Sequence, residues 1–358
     1  MTLILNPQEV RGIISMNEAI EAVEIGFKNW GENELLNALR HRIFAPSGVR
    51  TSVHQGAVPG VGASGLLIHC ERLNATADEQ IQEGIAPPVG VLYDSENSSS
   101  LAVLIGAVTA KEVGGRSTSL RTAATSAVGT KLLARRDANS VGILGSGVQA
   151  KNHLVALTCI RPITKARVYS RNPKNREAFV EAMEKTVGFE IEVAESAEQA
   201  VRGCDILLCA TNASIPVLDG NWLERGTHVI SIVGSDIGLV KAGYGKTMRR
   251  EVDDTTIRRA DLIVVNSVEQ IKRDQHADIY DTVSQGIKSW ADIIELRDIV
   301  AGAQPGRTSE EQITLFKNNA GQGVADVAIL AKVYVLAKAQ ELGIEIPTNL
   351  LSWTEEIR

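Results

Sequence analysis

Gly145, Gly147 and Ala150 lie in the stretch VGILGSGVQAKNHLVAL, residues 141 to 157, in the order G-x-G-x-x-A. The first glycine permits a tight turn after an apolar strand. The second lets backbone approach a pyrophosphate, and the small third residue lets the next helix pack closely on the strand. A helix that opens here turns unpaired N–H groups toward an anion, so the chemistry this spacing predicts is dinucleotide binding. The following strand ends in VYSRNPKNR, with Ser170 and Arg171 where a carboxylate would take the ribose 2′-hydroxyl of NAD. Because an arginine there suits a 2′-phosphate, NADP(H) is favoured, with NAD(H) as the alternative.

The elements around the glycine loop alternate regularly. The strands SVGILG, ARVYS, IEVA and DILLCAT are interleaved with the helices VQAKNHLVALT, NREAFVEAMEKTV and SAEQAVRGC, and the strands HVISIVGS and DLIVVNS follow. Such alternation predicts right-handed crossovers and a parallel sheet covered on both faces, a doubly wound α/β domain over residues 137–304. Ahead of it, residues 16 to 34 place Ala19, Ile20, Val23, Ile25, Phe27 and Trp30 at helical spacing behind a Ser15 or Asn17 cap. From Arg40 to Val103, short apolar segments such as GLLIHCE and PVGVLYD predict strands, and residues 121 to 138 return to helical composition. The segment from Gln312 to Leu342 is apolar on one face and helical in its second half. It is expected to return to the first domain, so that residues 1–136 are completed by 305–358.

Composition narrows the function. With 44% hydrophobic and 22% charged residues, 358 residues suffice for two globular domains. A net charge of −6 argues against a general binder of nucleic acid. The N-terminus lacks a basic leader and cleavage site, and no segment has the ~18 to 20 apolar residues of a membrane span, so a cytoplasmic location without membrane attachment is expected. Cys70, Cys159, Cys204 and Cys209 form no CxxC pair and read as packing thiols of a reducing compartment. His54, His228 and His276 stand alone in the sequence, and no metal is expected.

The segments LRHRIFAP, SLRTAATSAVGTKLLA, VGILGSGVQA, HVISIVGSD, REVDD and ITLFKNN, in this order, resemble the ornithine cyclodeaminase and mu-crystallin family over residues 10 to 340. The resemblance implies a substrate-binding and dimerisation domain, a Rossmann domain and a returning C-terminal helix, in a homodimer. It also implies hydride exchange at a carbon bearing nitrogen and carboxylate, in a small amino or imino acid. Carried over onto this chain, Arg40, with Arg42 as a nearby competitor, and Arg121 grip the substrate carboxylate, which a planar guanidinium matches with two donors. Asp236 handles the amino group. Val148, Gln149, Thr122, Thr211, Val233 and Gly234 join the glycines at the cofactor.

Where the family usually has a lysine after Gly-hydrophobic, this chain has Leu67. His69, Glu71 or Arg72 could replace it, and His69 comes first because it shares strand parity with Leu67. KEVGGRSTS before Arg121 and DIGLVKAGYGKTM after Ser235 are longer than the family pattern, and long loops at a site reshape its pocket. No chemistry is assigned to Asn318, Asn319, Gly321 or Asp326. The resulting expectation is an imine reductase or amino-acid dehydrogenase. A cyclodeaminase with tightly held dinucleotide comes second, and a non-catalytic crystallin-like binder of NADPH third.

Overall fold

The computed structural model describes residues 1–75 and 80–347. The first half of the chain runs β1 (Thr2–Leu5), α1 (Pro7–Val10), β2 (Arg11–Ile14), α2 (Met16–Glu32), β3 (His41–Phe44), β4 (Val49–Val58), β5 (Ala63–Ala75), β6 (Gln80–Ile85), β7 (Val89–Asp94), β8 (Ser100–Ile105), β9 (Thr109–Ala110) and α3 (Ser117–Leu133). Then come β10 (Ser140–Leu144), α4 (Val148–Ile160), β11 (Lys165–Tyr169), α5 (Pro173–Val187), β12 (Ile191–Val193), α6 (Ala197–Val201), β13 (Ile206–Cys209), β14 (His228–Ser231), α7 (Ile237–Lys241) and α8 (Asp254–Arg259). The chain continues with β15 (Leu262–Val265), α9 (Val268–Asp274), α10 (Ala277–Ser284), β16 (Ile293–Glu295), α11 (Leu296–Val300), β17 (Thr314–Lys317), α12 (Gly323–Ala339) and β18 (Ile344–Ile346).

The doubly wound sheet has the order β12-β11-β10-β13-β14-β17-β15-β16, parallel throughout. Its strands are near-continuous apolar runs because helices cover both faces. One expectation is corrected here. The domain does not end at residue 304, because β17 lies between β14 and β15, with all four of its residues buried. Strand order within a sheet is a tertiary property, and a short apolar strand beyond a loop carries no local mark of it. The helix after β17 does return to the first domain, while residues 348–358 of the expected completion lie outside the described residues.

The first domain is a mixed sheet, β18-β1-β8-β7-β5-β4-β3 with β6 beside β5, packed on α2 and α12. Helix α2 opens on a capping box in which Ser15 accepts from the Glu18 N–H and the Glu18 carboxylate accepts from the Ser15 N–H. It buries Ala19, Ile20, Val23, Phe27 and Trp30 as expected, but Ile25 faces solvent. Helix α3 starts four residues earlier than the expected Arg121 and ends at Leu133. It is buried almost all round, and its Gly129 lies against the Phe316 ring, where a Cβ would come within 2.8 Å.

Glycines bring α12 into backbone contact with its neighbours. A Cβ on Gly323 would lie 1.9 Å from the Gln55 carbonyl oxygen in β4, and one on Gly56 would lie 2.5 Å from the Val324 nitrogen. This close approach seats the first turn of α12 directly on β4. The opposite face of the sheet carries Val53, Leu66, Ile68, Val91, Tyr93 and Val103 in register across four strands, half-buried or exposed.

Candidate active site

At the carboxyl edge of the doubly wound sheet, Gly145 adopts φ +108°, and a Cβ there would fall 2.2 Å from the Ala210 carbonyl oxygen. Only glycine takes this turn without strain. Gly147 is the N-cap of α4 and supplies no side-chain cap, and a Cβ on it would meet nothing within 4 Å. Open space thus lies over the free N–H groups of a helix start, as a pyrophosphate requires. Ala150 is buried, Val148 half-exposed, and the Gln149 Oε1 is a buried acceptor with no partner. These residues fit a nicotinamide dinucleotide. Ser170 and Arg171 follow β11 directly, and Ser146 Oγ donates to Ser170 Oγ at 3.0 Å.

Two further expected cofactor residues are held from behind. Glu251 accepts from the Thr211 hydroxyl (2.9 Å) and N–H with one oxygen, and from the Ile232 (2.9 Å) and Val233 (2.8 Å) N–H groups with the other. Burial pushes this carboxyl up, against the pull of Lys317. Lys317, fully buried in β17, pairs with Asp278 at 2.7 Å and donates to the Val233 carbonyl at 3.0 Å. Glu251 thereby ties the loop after β13 to the loop after β14, and Gly234 beyond it has open space above. The sequence marked REVDD as a segment but gave Glu251 no role.

A cleft of about 290 Å³ opens between the two domains, lined by residues of β3, β4, β5, the start of α3 and the loops after β14 and β17. Arg121 and Thr122 lie in the second turn of α3 and both face it. Arg121 is buried, with Nε donating to Asp326 Oδ1 at 3.0 Å and Nη1 reaching Thr122 Oγ1 at 3.4 Å. Arg40 also lines the cleft, but its terminal nitrogens are engaged by Asp274 and the Ala320 carbonyl. Burial, then the neighbouring Arg42, lower its pKa to about 9, while Asp274 opposes them. Asp236 is not among the residues that line the cleft. Its Oδ1 caps α7 by accepting from the Gly238 N–H at 2.8 Å, and its Oδ2 pairs with Arg42.

Leu67 and His69 both point to the cleft from β5, as their shared parity predicts. Glu71 lines it too but is held by Arg50, whose Nε donates at 2.8 Å, and Arg72 is exposed. The reading of His54 as a lone histidine is corrected: its Nδ1 is 2.7 Å from Asp326 Oδ2, and its Nε2 is 3.4 Å from His69 Nε2. Burial drives His54 to about 4 despite Asp326, and burial with His54 drives His69 to about 2. Asp326 is itself buried, which favours its neutral form, yet Arg121 and His54 hold it down at about 2. Asp326 is the residue sequence reasoning passed over. It comes from α12, while its partners come from α3 and β4.

Of the two long loops, only the first contributes to the lining of the cleft among the described residues. The stretch before Arg121 is irregular over residues 111–116 and enters α3 at Ser117, with Arg116, Ser117 and Thr118 at the cleft. The stretch after Ser235 becomes α7 and a turn that packs on the β3–β4 hairpin, with Phe44 at Gly238 and Tyr244 at Gly48.

A doubly wound dinucleotide cradle facing an arginine-lined cleft on a second domain defines a nicotinamide-dependent enzyme of a small carboxylate. The model of the ornithine cyclodeaminase/mu-crystallin family matches residues 1–341, and the chain belongs to this family. The Δ(1)-pyrroline-2-carboxylate reductase of Bacillus cereus is 28% identical, over 96% of this chain and 98% of its own. The structure of the Thermococcus litoralis Δ(1)-pyrroline-2-carboxylate reductase, in complex with NADH and L-proline, is 30% identical, with a TM-score of 0.79 over 96% of this chain and 100% of that one. An archaeal alanine dehydrogenase dimer with bound NAD is 28% identical, also with a TM-score of 0.79, over 97% of this chain and 99% of that one.

Proposed function

We propose that the chain is an NAD(P)-dependent imine reductase or amino-acid dehydrogenase that exchanges a hydride at the carbon bearing nitrogen and carboxylate. The observation that carries this reading is Arg121, a buried guanidinium fixed by Asp326 at the mouth of a dinucleotide cradle. Its unengaged donors take the substrate carboxylate in a planar fork. Arg40 adds positive field beside it. Asp236 acts through Arg42, and His69 is the cleft-facing group that exchanges a proton with the substrate nitrogen. The bound dinucleotide supplies or accepts the hydride. The relatives named above, which act on an imino acid or on alanine, support the substrate class.

The cofactor preferred is NADP(H), since Ser170 and Arg171 follow β11 where a carboxylate would reject a 2′-phosphate. The enzyme works as a homodimer in the cytoplasm. The apolar sheet face with Ile68, Val91 and Tyr93 supports the dimer, because a contiguous face of this kind is ordinarily covered by a partner. The test is absorbance at 340 nm with NADPH and NADH in turn, against cyclic imino acids and 2-oxo acids with ammonia or methylamine. Oxidation of NADPH with one of these classes is expected. Silence across the panel, with ammonia released from a diamino acid instead, would overturn the reading in favour of a cyclodeaminase.

A further inference from the structure

We propose that Asp326, His54 and His69 form a proton relay whose far end, His69, works on the substrate nitrogen while the charge is stored on His54. This rests on the reaction assigned above. The two imidazoles come from neighbouring antiparallel strands, in which Ser52 is opposite His69 and His54 opposite Leu67, so both side chains leave the same face of the sheet. Their rings meet edge to face at 78°, with centroids 4.9 Å apart. Gly321, at φ +98°, leaves room at this corner: a Cβ there would come 3.1 Å from His54 Nε2 and 2.5 Å from Arg40 Nη1.

The direction of each bond follows from what each atom can offer. A carboxylate only accepts, so His54 Nδ1 carries the proton in its 2.7 Å bond to Asp326 Oδ2. A neutral His54 then presents a lone pair at Nε2, and the approach of His69 Nε2 at 3.4 Å is a bond only if His69 donates. His69 Nδ1 is left with a lone pair.

In amine oxidation, that lone pair takes a proton from the substrate ammonium: an N–H bond of the substrate breaks and a bond to Nδ1 forms. The Nε2 proton of His69 passes to His54 Nε2. His69 is neutral again, and the cation sits on His54 against Asp326. The neutral amine left behind has the electron pair needed to expel hydride from carbon, which yields the iminium. Imine reduction runs the same transfers backwards and returns one proton to the nitrogen.

Arg121 couples the relay to binding. Arg121 and Arg40 face His54, Arg50 and Arg121 face His69, and all of them oppose a positive charge there. A substrate carboxylate on Arg121 offsets the nearest of these charges, so the relay accepts a proton more readily once substrate is in place.

The experiment is nitrogen-15 imidazole NMR on the full-length protein, with the six histidines assigned by single His→Gln variants. The expected wild-type pattern is Nδ1–H on His54 and Nε2–H on His69. In Asp326→Asn, the amide keeps its oxygen on Arg121 and turns its NH₂ to His54. His54 must then accept at Nδ1 and carry its proton at Nε2, and His69 must move its own to Nδ1. Reversal of both tautomers by one substitution two groups away from His69 is the result expected. A His54 protonated at Nε2 in the wild type, or a His69 indifferent to Asp326→Asn, would overturn the relay. In turnover, His54→Gln is expected to lower kcat by ~10²-fold or more with KM nearly unchanged, in the range of general acid–base loss; an unchanged kcat would also overturn it. If no imine is turned over by the wild type while the tautomers reverse as described, the assigned reaction fails, and with it the role on the substrate nitrogen, while the coupled hydrogen-bond chain from Asp326 to His69 stands.

Discussion

Replacing Arg121 with lysine separates the two jobs of its guanidinium. Nε holds Asp326 at 3.0 Å inside the protein, while Nη1 directs one proton to Thr122 at 3.4 Å and the remaining Nη protons serve the cleft that Arg121 lines. A lysine ammonium can keep the ion pair or reach the substrate, but it has no planar fork with which to do both. The pair with Asp326 is buried and the substrate site is open to water, so the ammonium stays with Asp326. Stability should therefore change little. Binding loses a charge-assisted hydrogen bond to the carboxylate, about 1.5 to 3 kcal/mol, which is a rise of roughly 10- to 150-fold in KM. Arg121→Met leaves the Asp326 carboxylate with His54 as its one side-chain partner among the described residues, and breaking a buried pair in this way costs about 3 to 5 kcal/mol of stability. Steady-state kinetics with the preferred imino acid and urea unfolding of both variants make the comparison. A lysine variant with KM within threefold of the wild type would refute the assignment of the carboxylate to Arg121. A methionine variant that keeps the wild-type stability would refute the other half, the structural weight of the buried pair with Asp326.

Three other outcomes are expected. Gly145→Ala should unfold at markedly lower temperature, because a Cβ there meets the Ala210 carbonyl at 2.2 Å and φ is +108°. Gly147→Ala, with nothing within 4 Å, should stay stable yet bind NAD(P)H more weakly in a fluorescence titration. Acidification should also destabilise the fold. Burial lowers His54 and His153 from 6.5 to about 4, so the unfolded chain binds more protons between these values and stability falls with pH across that window. Each contributes about 2 kcal/mol of loss between pH 7 and pH 5, and His153→Gln should flatten the pH dependence of urea unfolding by its share. On the bare sheet face, Ile68→Asp should convert a dimer to a monomer in light scattering with the fold intact, since Ile68 packs beside Val53 and Val89 away from the core helices.

The cofactor cradle was legible because its information is local: a strand, a tight turn and a helix start fit within ten residues, and each glycine has its own steric reason. The parity argument that placed Leu67 and His69 toward the cleft was local in the same sense. The place of β17 was not legible, nor was that of Asp326, whose ligands lie 205 and 272 residues away. The first depends on strand order, set by pairing with β14 and β15, and the second on where α12 docks, which is written in residues that carry no chemistry. Gly323 and Gly56 let helix and strand backbones touch, and Gly26 does the same for α2, where a Cβ would lie 2.8 Å from the Val324 carbonyl. A glycine inside a strand, or at the start of a helix with no turn to explain it, signals such an approach.

The same packing explains why Asp326, the third residue past the Gly323 contact, serves two masters. Three backbones meeting at the start of α12 leave its first turn no freedom to shift, so the carboxylate is fixed between Arg121 from α3 and His54 from β4. The proposed substrate anchor and proton relay are then oriented by one group, Asp326, which bonds to Arg121 and His54. A change at Gly26, far from the cleft and without charge, should therefore act on carboxylate binding and proton transfer together.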